Sequence, residues 1–175
     1  RYPDIFISLR VGNTENVLNS LRNYESDIGV LGEIQDNQEY ESLKLNSAPI
    51  IAFAEEGSAF TNHLKISLKE LANLPLVLRE KGSKTRAKLE EVAAIAGIKL
   101  NPTIEAEGRE AVRAIVAAGG GVGIVSEAEF GSGDGLVKIK ITEKNLMMDE
   151  AIVFLRERKD SKLVNAFMNL ATEVI

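Results

Sequence analysis

The 175-residue sequence has no cysteine and a single histidine, His63. The first absence excludes disulfides, thiolate metal sites and cysteine nucleophiles, and it fits a reducing cytoplasm. The second excludes a multi-histidine metal site and leaves an ordinary Ser-His-Asp triad without a nearby base. His63 stands in a polar stretch and reads as a surface residue. Long apolar runs are missing as well. The longest, Pro49-Ile50-Ile51-Ala52-Phe53-Ala54, is strand-sized and far short of a membrane span. Arg1-Tyr2-Pro3-Asp4 leads into a strand pattern rather than a signal peptide. There is no basic stripe: 21 Lys and Arg are scattered among 26 Asp and Glu, for a net charge of -5. Such a surface is poorly suited to neutralising nucleic-acid phosphates. Membrane insertion, direct DNA contact, bound metal and cofactor are therefore not expected of this segment.

What is present is a composition 45% apolar and 27% charged, enough for a real core in a soluble domain of one compact unit or two small lobes. Ile5 to Val11 is β-branched and apolar and predicts a buried strand. Gly12-Asn13-Thr14 breaks it, and Asn13 or Thr14 can cap a helix with Val17, Leu18 and Leu21 on its apolar face. Asp27 to Gly32 is the next strand, ahead of a polar loop, and this order makes a parallel βαβ unit the default. Leu43 to Ala54 reads as one bent strand or two short ones. Ser67-Leu68-Lys69-Glu70 is a capping box. Pro75 to Leu78 predicts a buried strand, and Lys84 to Ala96 a helix with Leu89, Val92, Ala93 and Ala96 inward and Gly97 as its stop. A second α/β series follows: strand at Thr103–Ala106, helix at Arg109–Ala118, strands at Val122–Val125, Leu136–Ile141 and around Ile152–Leu155. Ser161 opens a closing helix with Leu163, Val164, Phe167 and Leu170 on its core face.

Two glycine-rich segments invite a nucleotide-binding interpretation, and neither supports it. Gly119-Gly120-Gly121-Val122-Gly123 follows a helix and precedes a strand, the reverse of a dinucleotide loop, so it reads as a helix stop with close helix-to-strand packing. Gly82-Ser83-Lys84-Thr85 resembles the tail of a P-loop, but Val77 stands where the first glycine belongs and Ser83 where the lysine belongs. Its context still carries information. A strand delivers the chain to two hydroxyls and a lysine at a helix start, where free N–H groups and the helix dipole receive a carboxylate, phosphate, phosphonate or sulfate. The competing reading is that Ser83 or Thr85 merely caps its own helix.

The junctions at Asn13-Thr14, Glu80 to Thr85, Glu107-Gly108-Arg109 and Ser126 all lie beyond strand ends, where ligands bind in open α/β sheets. Ser126-Glu127-Ala128-Glu129 makes no catalytic pair, because residues two apart do not face each other on a helix. No nucleophile, base and orienter can be assembled, so a non-catalytic binding domain is expected.

Tyr2-Pro3-Asp4-Ile5, Gly12 to Leu21 with Asp27 to Val30, Pro75 to Glu80 with Gly82-Ser83 and Thr85-Arg86, Val116 to Gly119 with Gly121 to Val125, and Phe167 recur here in a specific order and spacing. In these the sequence resembles the effector-binding domain of LysR-type transcriptional regulators. The resemblance implies an α/β fold of two lobes, like type 2 periplasmic binding proteins, with an effector in the cleft. Lobe one would comprise 1–72 and 146–175, and lobe two 73–145. It further implies a homodimer or homotetramer that reaches DNA through an N-terminal helix-turn-helix domain outside this chain. By the same resemblance the chain starts at the end of the first helix, with a strand, a turn of the site and most of that helix before Arg1. The expected ligand-binding residues are Asn13, Thr14, Glu80, Gly82, Ser83, Lys84, Thr85, Glu107, Gly108, Arg109 and Ser126. Residues 107–112 and 125–131 look like a subgroup linked to aminoethylphosphonate catabolism. In that case Lys84 and Arg109 would meet the phosphonate of 2-aminoethylphosphonate, and Glu107 or Glu127 its ammonium. The alternative on the same fold is a solute-binding protein of a transport system, told apart by a signal peptide instead of a helix-turn-helix upstream.

Overall fold

The computed structural model describes residues 2–32, 38–131, 133 and 135–174. The polar loop expected after Gly32, Glu33 included, lies outside them. In chain order the elements are α1 (Thr14–Arg22), β1 (Gly29–Gly32), β2 (Tyr40–Glu55), β3 (Lys65–Ile66), α2 (Leu68–Leu71), β4 (Leu76–Arg79), α3 (Lys84–Ile95), β5 (Pro102–Ala106), α4 (Arg109–Ala117), β6 (Val122–Ser126), β7 (Leu136–Ile141), β8 (Met147–Leu155) and α5 (Lys162–Val174). The main sheet runs β1-β8-β2-β6-β4-β5, with β7 on β2 and β3 on β7. This is the two-lobed α/β architecture expected from the sequence.

Beyond Pro49 the sheet is covered on both faces, and the sequence shows it as an unbroken apolar run. Side chains alternate along each strand. Ile50, Ala52 and Ala54 of β2, Leu76 and Leu78 of β4, and Val122 and Ile124 of β6 join Leu68, Leu71, Leu89, Val92 and Ala93 in one core. Ile51 and Phe53, Val77 and Val125 point the other way, onto Val112 and Val116 of α4. β4 lies parallel between β5 and β6, as the strand–helix–strand order predicts. The glycine tract ends α4 and starts β6. Gly119 and Gly120 donate back to Val116 and Ile115 carbonyls at 3.0 and 2.9 Å. Gly121 has φ +133° and leaves no room for a Cβ against the Pro75 carbonyl. The helix-stop reading therefore holds.

A smaller core lies under α1, where Leu21, Leu31, Tyr40, Ala151, Val153 and Leu155 meet Val17 and Leu18. Among the described residues, β2 and β8 are the strands that belong to both regions. They pair antiparallel from Tyr40 to Pro49, with a register shift between Lys44 and Asn46 that makes β2 a single bent strand. The packing does not divide at residue 72, because Ile50 to Leu71 contribute to the core of β4, α3 and β6.

Three further expectations are corrected. Ile5 to Val11 is not a strand: it is coil, with Phe6 91% and Val11 92% exposed. A strand needs a ladder partner, and among the described residues none runs alongside it. The parallel βαβ start fails with it, for β1 pairs antiparallel with β8. In α5 only Val164 is buried, while Leu163 and Phe167 stay about two-fifths exposed (40% and 42%). The stripe sets which side turns inward; what lies opposite sets how deeply it is covered.

Candidate functional site

Three helices begin near one another where the lobes meet. Asn13 caps α1 in a reciprocal box: its Oδ1 accepts the Asn16 N–H at 2.9 Å, and Asn16 Oδ1 accepts the Asn13 N–H at 3.3 Å. Ser83 caps α3, accepting the Arg86 N–H at 3.5 Å, the limit of a hydrogen bond. Gly108, which has no side chain to contribute, stands at the start of α4.

A groove of about 230 Å³ separates α1 from α3, lined by Thr14, Glu15, Leu18 and Arg22 on one side and Gly82, Ser83, Lys84 and Ala87 on the other. Thr14, Gly82, Ser83 and Lys84 of the expected set thus share one cavity. Gly82 has φ +95°, and a Cβ there would lie 3.0 Å from Glu15 Oε2 and 3.1 Å from Asn13 Nδ2. Lys84 crosses toward the first lobe, its Cγ lying where a Cβ on Gly32 would need to sit, 2.8 Å away. Thr85 is half-buried on the first turn of α3 and does not line the groove.

The base of α3 is fixed by Arg86. It donates to the Arg79 carbonyl at 2.6 Å, Glu105 at 2.5 Å and Glu90 at 2.8 Å. Burial works against its charge, but Glu105 and Glu90 more than compensate and raise its pKa.

Glu80 is committed to the protein itself. Its carboxylate accepts from Arg79 Nη2 at 2.8 Å and from the Gly108 N–H at 3.0 Å. Burial pushes its pKa up, yet Arg79, Gly108 and the Asn13 side chain pull harder and bring it down to about 2. Arg109 reaches Glu129 at 3.0 Å and Glu110 at 3.1 Å, and Glu107 is exposed in the bend before α4. Ser126 is fully buried, and among the described residues its hydroxyl has no hydrogen-bond partner. Glu150 of β8 is held above the usual carboxylate range, first by burial and then by Glu129, with Arg109 opposing.

Sequence reasoning missed Glu15, Leu18 and Arg22 as groove residues and Glu150 as a neighbour of Arg109. Thr14, Leu18 and Arg22 follow an i, i+4, i+8 spacing, so the helix face carrying them was available as a signal. Glu150 had none, since it arrives from a strand distant in sequence. A larger open depression of about 550 Å³ lies at the far end of α1, with Arg22, Tyr24, Glu39, Arg156, Glu157 and Lys159 among its walls. Much of its charge is internally paired: Arg22 with Glu39, Tyr24 with Glu157, and Arg156 with Glu41. The groove, by contrast, is lined by Lys84 and the start of a helix, both sources of positive potential.

Comparison with known proteins gives the family and the fold. The chain is 34% identical over 126 residues to the HTH-type transcriptional activator CmpR of Synechocystis sp., covering 72% of this chain and 41% of the relative. It is 29% identical over 136 residues to a RuBisCO operon transcriptional regulator of Acidithiobacillus ferrooxidans, covering 75% and 44%. The chain thus spans less than half the length of these relatives. The Synechocystis CcmR regulatory domain, solved in complex with 2-PG, superposes with a TM-score of 0.85 at 22% identity, over 99% of this chain and 85% of that one. The effector binding domain of QuiR in complex with shikimate gives 0.83 at 18%, over 97% and 81%. The family described as LysR substrate binding domain matches residues 1–175, and the chain belongs to that family.

Proposed function

We propose that this chain is the effector-sensing region of a LysR-type transcriptional regulator. The observation that carries the reading is the groove itself: Ser83 and Lys84 at one helix start face Thr14 at another, across two lobes. A small anion with an apolar body fits its chemistry, since Lys84 and the α3 start supply positive potential while Leu18 and Ala87 supply an apolar wall. Ser83, Lys84, Gly82 and Thr14 are the direct contacts in this reading; Thr85 just outside the groove, with Asn13, Glu80, Gly108, Glu107, Arg109 and Ser126, completes the surroundings. The lobes divide where β2 and β8 cross between cores, near residues 48–50 and 146–148, rather than at residue 72.

The relatives above are transcriptional regulators, which favours this reading over a transport protein of the same fold. DNA contact and a homodimeric or homotetrameric state would belong to the whole cytoplasmic protein, through a helix-turn-helix outside this chain. Among the described residues no helix is long and apolar enough to cross a membrane. The effector shifts the lobe arrangement only through its differential affinity for the two states.

The effector we name for test is 2-aminoethylphosphonate, with inorganic phosphate as the minimal probe. Calorimetric titration and thermal shift are expected to show binding that Ser83→Ala and Thr85→Ala weaken with little loss of stability. Variants that lose stability and keep affinity would return both hydroxyls to capping. Absence of both heat and thermal shift rejects the phosphonate.

A further inference from the structure

The groove between α1 and α3 carries three charged side chains, Glu15, Arg22 and Lys84, and they are not equally free. Arg22 is engaged by Glu39, its Nε donating to both carboxylate oxygens at 3.1 and 3.2 Å. Among the described residues Glu15 and Lys84 make no hydrogen bond or ion pair, with each other or with any neighbour. Their places are nevertheless set by the backbone. Glu15 stands in the first turn of α1 and leans over the turn that leads into α3, for a Cβ on Gly82 would lie 3.0 Å from its Oε2. Lys84 leaves the far side of that turn and crosses toward Gly32. A free carboxylate and a free ammonium thus flank one cavity from different lobes, and Leu18 and Ala87 give that cavity an apolar wall.

This arrangement does not suit a plain anion. Lys84 and Ser83 would attract its charge, but Glu15 would repel it. A molecule carrying both signs gains at both walls, whereas one without an ammonium covers Glu15 and leaves it no partner. The acids that the sequence put forward for an ammonium are placed elsewhere: Glu127 is paired with Lys138, and neither it nor Glu107 lines the groove.

We propose that Glu15 is a ligand-binding residue that selects for an ammonium on the effector, and that the groove takes a small zwitterion. Its acid group meets Ser83 and Lys84, and its ammonium meets Glu15. The volume of about 230 Å³ is below the roughly 300–1,000 Å³ of pockets for drug-sized ligands, so only a short carbon chain can join the two charges. This inference rests on the effector reading above and narrows it from an anion to a zwitterion.

Calorimetric titration of the full-length protein with matched probes tests it. 2-Aminoethylphosphonate and n-propylphosphonate differ only in an ammonium against a methyl group, as do β-alanine and butyrate, and inorganic phosphate has neither. The unsubstituted protein should bind at least one zwitterion about fivefold or more tightly than its methyl partner, the upper range for an exposed ion pair. Glu15→Gln keeps the shape of the side chain and should abolish that preference, with affinity for the methyl partner unchanged or higher. Lys84→Gln should weaken both members of each pair. A Glu15 that only complements the α1 dipole would make Glu15→Gln lower both members alike, and that result overturns the proposal. Equal binding of zwitterion and methyl partner by the unsubstituted protein overturns it too. Anion binding that needs Lys84 but ignores Glu15 leaves the effector reading standing and removes only the zwitterion. No heat from any probe rejects the zwitterion and the anion seat together.

Discussion

α3 and α4 begin a few residues beyond parallel neighbouring strands of one sheet, and both offer a helix dipole and free N–H groups, yet their starts are used differently. At α4 the cap is glycine, and the carboxylate that complements the dipole comes from Glu80 at 3.0 Å. At α3 the cap is the chain's own Ser83 at 3.5 Å, with Lys84 beside it and a groove in front. One start is filled from within, and the other is left weakly served and open. Identical backbone physics thus yields a filled start in one place and an open one in the other, according to whether a neighbouring side chain reaches it.

The contrast can be broken most severely at the foot of α3. Arg86→Ala removes a buried guanidinium bound to three partners and should cost about 3 kcal/mol, as broken buried pairs do, read as a lower denaturant midpoint. The α4 side answers to acid. Because the folded-state pKa of Glu80 is depressed from 4.5 to about 2, its stabilisation is complete above 4.5 and lost as pH falls through that window. Glu80→Gln should flatten this part of the acid-unfolding curve by up to about 3 kcal/mol, and an unchanged slope between pH 4.5 and 2 would refute the internal filling of α4. Gly82→Ala forces a Cβ into a left-handed residue against Glu15 and Asn13 and should cost about 1–3 kcal/mol in thermal denaturation while narrowing the groove. Ser83→Ala should be the mildest, no more than about 0.5–1 kcal/mol, since its cap is long. A larger loss would mean that α3 is as fully served as α4.

Much of the scaffold was legible. The helices at Thr14, Lys84 and Arg109, the capping box at Ser67 and the glycine stop at 119–121 depend on residues a few positions apart, so local chemistry fixes them. The Ser67 box closes as read, with the Ser67 N–H donating to Glu70 at 2.8 Å and the serine hydroxyl and N–H holding the Glu70 carboxyl below its ordinary range. The groove was half legible: Gly82, Ser83 and Lys84 announce a helix start, whereas Glu15 and Arg22 become groove residues only once α3 lies opposite α1. The segment at 5–11 misled, because β-branched residues favour a strand without supplying its neighbour.

The sequence by itself determined the helix ends, the doubly covered strands and the candidate anion seat at Ser83 and Lys84, since periodicity, caps and glycine act within a few residues. Only the tertiary structure decided that β2 carries the chain from one core into the other, that Ile5 to Val11 stays unpaired, and that Glu80 fills the start of α4. Ladders and ion pairs join groups that are far apart along the chain, 28 positions in the case of Glu80 and Gly108, and no local pattern specifies that they will meet.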